Sequence, residues 1–325
     1  MNIDREKYVA LCGGVGGAKL ALGLAEILGS DLTIIVNTGD DFEHLGLAIS
    51  PDIDTVVYTL AGLANPTAGW GRSDESWSFM QALAELGGPD WFRLGDKDLA
   101  MHVQRTRWLT DGGTLSDFCE NIRQRLGIAP AIVPMSDDAV RTLVETDDGE
   151  LEFQDYFVAR QCEPRVTAIR YDGAERAWPV DTALEALNAP DLGGVIICPS
   201  NPYLSIDPIL SVPALREALL ACPAPVIAIS PLIGGEAVKG PTAKLMAELG
   251  VEISPHAIAR HYGAMIDGFI LDQADEAEAS RFTLPVRVEQ TLMTDLAGKV
   301  ALARGSIEFC DALAAGRRPA QRMGE

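Results

Sequence analysis

Basic residues are scarce in this 325-residue chain: 26 lysines and arginines stand against 47 acids, a formal charge of −21. That balance argues against a general nucleic-acid binder, because a phosphate backbone needs a basic face. An anionic nucleotide would need a local exception: a lysine or arginine cluster, backbone amides or a metal ion. Long apolar runs are also missing, and none reaches the roughly 18–20 uncharged residues of a membrane helix, so no membrane partner is expected. The first residues, Met1-Asn2-Ile3-Asp4-Arg5-Glu6-Lys7, lack the basic-then-apolar order of a secretory signal. Cys12, Cys119, Cys162, Cys198, Cys222 and Cys310 are scattered with no CxxC pair, which reads as small buried side chains in a reducing compartment. His44, His102, His256 and His261 show no paired zinc spacing and read as mostly structural. No GxSxG elbow occurs, so covalent catalysis has no support. A cytoplasmic enzyme fits these absences best.

Three motifs crowd the first sixth of the chain: Gly13-Gly14-Val15-Gly16-Gly17-Ala18-Lys19, Asn37-Thr38-Gly39-Asp40-Asp41 and Ser50-Pro51-Asp52-Ile53-Asp54-Thr55. The first follows the apolar run Tyr8-Val9-Ala10-Leu11-Cys12 and leads into a helical pattern. A glycine turn there lets backbone N–H groups approach a phosphate at a helix N-terminus. It is neither GxGxxG nor a P-loop, and alone it is equally a tight turn with a surface lysine at Lys19. The second motif follows another apolar run, Leu32-Thr33-Ile34-Ile35-Val36, and sets adjacent carboxylates at its end. In the third, Ser50 can cap a helix that Pro51 begins. Carboxylates facing a phosphate repel it unless a cation lies between, so the pairing implies magnesium.

Residues 51–64, 75–86, 97–109 and 115–126 read as helices, a helical insertion spanning about 60–126 within a single domain, 1–325. Strand signals return at Ala131-Ile132-Val133, then in a hairpin turning through Asp147-Asp148-Gly149. Val195-Ile196-Ile197-Cys198 and Val226-Ile227-Ala228-Ile229 are continuous apolar runs of the kind buried parallel strands carry. The alternation predicts an α/β fold, a Rossmann-like doubly wound, mainly parallel sheet. Polar groups at strand ends add candidates: Ser136-Asp137-Asp138 as a further metal loop or a simple turn, Ser200-Asn201 between prolines, and Lys239 at a helix start. In the insertion, Gly69-Trp70-Gly71-Arg72 and Trp91-Phe92-Arg93 combine aromatic faces with fixed cations, suited to stacking on a heterocycle or to packing the insertion down.

Taken in order, these residues resemble the 2-phospho-L-lactate transferase family of coenzyme F-420 biosynthesis, the CofD/FbiA-like enzymes. The likeness spans nearly the whole chain: GGVGGAKL at 13–20, NTGDD at 37–41, SPDIDT at 50–55, GWG at 69–71 and LGDKDLAMH at 94–102. It continues through PMSDD at 134–138, FQDYFV at 153–158, PSNP at 199–202 and SPLIGGEAVKGPTAKLM at 230–246. The resemblance implies transfer of a phospho-acid from a guanosine-diphosphate-activated three-carbon acid to the terminal ribityl hydroxyl of the deazaflavin Fo, with GMP leaving. It further implies magnesium and a homodimer. By matching motif positions, Asp54, Arg93 and Trp91 would contact Fo. Gly13, Gly14, Gly16, Gly17, Lys19, Asn37, Ser200 and Asn201 would line the nucleotide. Asp40 and Asp41 would hold the metal, and Asp54 with Asp41 would serve catalysis. Asp54 could orient or deprotonate the hydroxyl, and a metal role is equally open to it. The glycine loop departs from the GGTGTPKL of many archaeal members and places the chain with the bacterial branch, where the acid is phospholactate, phosphoenolpyruvate or phosphoglycerate. The alternative is a non-catalytic UDP-sugar-binding regulator of a distantly similar bacterial family. Thermal-shift ranking separates the two: GDP is expected to stabilise the protein above UDP-sugars and NAD, and a UDP-sugar preference without Fo binding would contradict the transferase reading.

Overall fold

Seven short apolar runs build the centre of the protein, seen in a computed structural model that describes residues 6–67, 69–237 and 240–317. They are β1 (Lys7–Cys12), β2 (Leu32–Val36), β3 (Ala131–Pro134), β4 (Leu192–Ile197), β5 (Val226–Ile229), β6 (Gly268–Asp272) and β7 (Val286–Glu289). Their order across the sheet is β3-β2-β1-β4-β5-β6-β7, and every pairing is parallel. The sheet expected to be mainly parallel is wholly so. Alternate side chains serve opposite layers, as the two-residue period of a strand requires. Val9, Leu11, Ile35, Val195 and Ile197 enter one core, and Ala10, Cys12, Ile34, Val36 and Ile196 enter the other. Burial on both faces explains why these strands read as unbroken apolar runs.

Helix α1 (Gly14–Leu28) returns from β1 and packs against the long helix Leu296–Arg317. The contact depends on Gly23, where an added Cβ would collide with the Lys299 carbonyl. Between β2 and β3 lie a hairpin (Phe42–His44 with Leu47–Ile49) and helices α2 (Pro51–Leu60), α3 (Ser78–Glu85), α4 (Asp96–Thr110) and α5 (Leu115–Arg125). The helices fall where periodicity placed them, although α2 stops at Leu60 and α3 starts at Ser78, both shorter than expected. The hairpin escaped notice because its strands are three residues each. The predicted hairpin after β3 gains a third strand, Val166–Asp172, paired antiparallel with Arg141–Thr146. Four cysteines are buried as expected, whereas Cys162 and Cys222 are half-buried. Lys239 lies outside the described residues.

Overpacking a close backbone contact costs about 1–3 kcal/mol. Gly23→Ala is therefore expected to lower the thermal midpoint by several degrees; an unchanged midpoint would show that the two helices are free to separate.

Candidate active site

The carboxyl ends of β1 and β4 meet where the strand order reverses, the crevice in which open α/β sheets bind ligands. Ser200 joins the two ends: its Oγ donates to the Gly13 carbonyl at 2.7 Å and lies 3.4 Å from the Gly13 N–H. Glycine makes that approach possible, since a Cβ on Gly16 would sit 2.6 Å from the Pro199 carbonyl. Helix α1 begins at Gly14, so most of the glycine run is its first turn, whose N–H groups have no partners within the helix. Asp52 takes one of them, accepting from Gly14 N–H at 2.7 Å and from Asn37 Nδ2 at 2.9 Å.

The residues expected to line the nucleotide do come to this edge, but most of their side chains hold the frame. Asn37 is buried, donates also to the Leu204 carbonyl at 3.2 Å and accepts from Gly39 N–H at 2.8 Å. Asn201 accepts from Tyr203 and Leu204 N–H at 3.0 and 3.1 Å, and its Nδ2 donates to Thr242 Oγ1 at 3.0 Å. Lys19 Nζ donates to the Met293 carbonyl at 3.2 Å. What these side chains leave to an anion is the backbone: the N–H groups of Val15, Gly16 and Gly17 in a first helical turn.

Beside that turn the acids gather. Asp40, Asp41, Asp52 and Asp54 are all buried. Ser50, expected to cap α2, instead donates its Oγ to Asp41 at 2.7 Å, and α2 has no side-chain cap. One oxygen each of Asp40, Asp41 and Asp54 has no hydrogen-bond partner among the described residues, nor have Thr38 Oγ1 and Thr142 Oγ1. Burial pushes Asp41 up to about 7 against the pull of Ser50 and Arg105, and pushes Asp52 up to about 6. Asp40 rises well above the usual carboxylate range, driven by burial and then by the charge of Asp52. A cavity of about 10 Å³ is lined in part by Asp40, Asp41, Arg141 and Thr142, while Asp54 and Thr38 are not part of its lining. Unpaired carboxylate oxygens are the type of ligand that a magnesium ion would take.

Asp54 sits differently. Its Oδ1 accepts from Arg105 Nη2, and Arg105 is fully buried, with Nη1 donating to the Ala48 carbonyl at 3.1 Å. His102 stands between two carboxylates: Nδ1 is 3.6 Å from Asp54 Oδ2, and Nε2 is 3.3 Å from Asp98 Oδ2. Tyr58 OH donates to Asp98 Oδ1 at 2.6 Å. Sequence reasoning gave Arg105 and Asp98 no role and left His102 structural. The signal was present: 98, 102 and 105 share one face of α4, a charged stripe where a buried helix face should be apolar.

Arg93 lies elsewhere, its guanidinium 4.1 Å from the Trp77 ring centroid. With Met80, Gln81 and Asp90 these two line a cavity of about 470 Å³ on the insertion. Trp91 is half-exposed and edge-on to His44 at 5.1 Å. Asp54 and Arg93 make no hydrogen bond or ion pair with each other among the described residues. Met80 joins the cavity to the Phe42 and Ile49 cluster of the hairpin. The loop Ser136-Asp137-Asp138 is spent on structure: Asp137 accepts from Ser116 N–H and Oγ at 2.8 and 2.6 Å, and Asp138 accepts from Trp178 N–H at 2.8 Å.

A family model for 2-phospho-L-lactate transferase CofD matches residues 8–301. The chain is 41% identical over 316 residues to a phosphoenolpyruvate transferase of Kitasatospora aureofaciens, covering 94% of this chain and 98% of that protein. It is also 41% identical over 311 residues to a 2-phospho-L-lactate transferase of Methanopyrus kandleri, again covering 94% and 98%. A crystal structure of a UPF0052 family member from Bacillus halodurans shares the fold, with a TM-score of 0.61 at 17% identity over 92% of this chain and 99% of that one. The chain belongs to the CofD family of 2-phospho-L-lactate transferases.

The raised carboxyls would give a bound magnesium ion a pH signature. Their folded values exceed the roughly 3.9 of an unfolded aspartate, so their stabilising contribution is complete below about pH 4 and is lost as pH rises through about 6–7. Magnesium takes the deprotonated form and reverses that loss. Its thermal shift is therefore expected to grow from about pH 5 to about pH 8 and to shrink in Asp41→Asn; a shift independent of pH, or none, would contradict the assignment.

Proposed function

We propose that this CofD-family protein transfers the phospho-acid group of a guanosine-diphosphate-activated three-carbon acid to the ribityl hydroxyl of Fo, releasing GMP, in coenzyme F-420 biosynthesis. The observation that carries the reading is the convergence at one sheet edge of a glycine-built helix N-terminus and buried carboxylates with unpaired oxygens. That pairing suits a diphosphate substrate, and relatives across 94% of the chain carry transferase names.

In this reading the N–H groups of Val15, Gly16 and Gly17 bind the diphosphate. Magnesium held by Asp40 and Asp41 would neutralise charge on the phosphoryl oxygens. Asp54 Oδ2, buried and without a donor, accepts the hydrogen bond of the incoming hydroxyl. Arg105 fixes that carboxylate by holding Oδ1. The cavity under Arg93 and Trp77 has a volume typical of small-molecule sites and takes the flat deazaflavin. Positioning and charge neutralisation are what phosphoryl transfer chiefly requires. The reading carries with it a cytoplasmic homodimer. Equal identity to the Kitasatospora and Methanopyrus enzymes leaves phosphoenolpyruvate and phospholactate as donor acids to compare, with phosphoglycerate as the third expected from the resemblance. No observation favours a UDP-sugar-binding regulator.

Protein given Fo, magnesium and each guanylated acid in turn is expected to form a phosphodiester with at least one, read by mass. Asp54→Ala would strand the buried Arg105 at about 3–5 kcal/mol, so Asp54→Asn is the cleaner variant and is expected to lower kcat about 100-fold or more. Arg93→Ala is expected to raise the KM for Fo about 10-fold, the value of one partly desolvated cation–π contact. No product from any donor would contradict the function; wild-type kinetics in both variants would remove these two roles alone.

A further inference from the structure

Arg105 carries only donors, so its approach to His102 Nδ1 at 3.4 Å makes that nitrogen the acceptor and puts the ring proton on Nε2. Nε2 in turn faces Asp98 Oδ2 at 3.3 Å, and the other Asp98 oxygen is held by Tyr58 OH at 2.6 Å. The Nδ1 lone pair, which meets Arg105 Nη1 at 3.4 Å, also lies 3.6 Å from Asp54 Oδ2, so a proton arriving from Asp54 would take the place of the Arg105 donor. The separation from Asp54 is outside hydrogen-bond range, as expected for two acceptors facing one another. A proton placed on Oδ2 would turn repulsion into a hydrogen bond.

We propose that His102 is a positioning residue for the transfer, a buried proton acceptor behind Asp54 whose positive form is stabilised by Asp98. The inference rests on the function proposed above. In the step, the acceptor oxygen bonds to the phosphorus bearing the three-carbon acid, the bond from that phosphorus to the bridging diphosphate oxygen breaks, and the electron pair leaves on GMP. The hydroxyl proton passes to Asp54 Oδ2 and on to His102 Nδ1. Burial tends to raise Asp98, but contacts with His102, Tyr58 and Arg105 outweigh it and keep the carboxyl below its ordinary range, ready to face an imidazolium. Besides Asp54 and Tyr58 of α2 and Asp98 and Arg105 of α4, the neighbouring titratable group is His44 of the hairpin, which burial lowers.

Asp54, Asp98 and His102 lie close enough to be considered as metal ligands, their ligand atoms within 4.8 Å of one another. The charge balance favours the proton path: Arg105 is fully buried and already neutralises Asp54, so a cation there would be set beside a guanidinium sealed from water.

The test is His102→Gln, assayed with Fo, magnesium and the best of the three guanylated acids. The expected result is a fall in kcat of about 100-fold, within the span of acid–base contributions, with the KM for Fo within about threefold. The rising limb of the kcat–pH profile is displaced, magnesium activation is unchanged, and Asp98→Asn moves kcat in the same direction by less. Wild-type kcat and pH profile in His102→Gln would overturn the role. So would a rise in KM alone, which marks a binding residue, or a changed magnesium requirement, which marks a ligand. Should the variant unfold, nitrogen-15 NMR of histidine-labelled wild-type protein decides: an Nε2–H tautomer at His102 supports the path and an Nδ1–H tautomer overturns it. Wild-type protein inactive with every donor would instead overturn the function itself, before any variant is compared.

Discussion

One guanidinium sealed from water organises the chemistry of this protein. Arg105 has no exposed surface, and its Nη2 holds Asp54 while Nη1 ties α4 to the hairpin through the Ala48 carbonyl. A buried charge of this kind is costly unless it is paired, and here the pairing falls to Nη1 and Nη2 alone, because Nε has no partner among the described residues. The hairpin, α2 and α4 must therefore be in place together for the cation to be neutralised. The same requirement fixes which Asp54 oxygen is committed to structure and which remains open. Asp54 is thus a rigid group, set by the fold rather than by a mobile side chain.

Around that pair the crevice holds more negative charge than its own cations neutralise. Asp40, Asp41 and Asp52 are driven up by burial, and Asp40 and Asp52 also repel each other. Asp52 is relieved by the Gly14 N–H and by Asn37. Asp40 and Asp41 each retain an unpaired oxygen. In the proposed function this unmet coordination is what a cation and a diphosphate would satisfy together: the helix N-terminus would supply donors to the anion and the acids would supply ligands to the cation.

Much of this was legible in the chain. Unbroken apolar runs announced buried parallel strands, and the glycine run after β1 marked the switch point. The acidic motifs after β2 and before α2 fell where the crevice lies. Other parts were illegible for physical reasons. Whether a polar side chain faces a ligand or the frame depends on tertiary partners, and Asn37, Asn201 and Ser50 all proved to be engaged by the protein itself. Arg105 and His102 were passed over because an arginine on a helix ordinarily faces water; only the fold turns that face inward. Trp77, under Arg93, lay at the margin of a predicted helix and carried no motif of its own.

The central claim is that a ribityl hydroxyl, placed at Asp54, attacks phosphorus. It is tested most directly with Fo carrying oxygen-18 in its terminal ribityl hydroxyl, the products being followed by mass. The account predicts that the label stays in the phosphodiester, bridging the ribityl carbon and phosphorus, and that GMP is formed unlabelled. A phosphodiester that has lost the label would contradict it, because the carbon–oxygen bond would then have been the one to break.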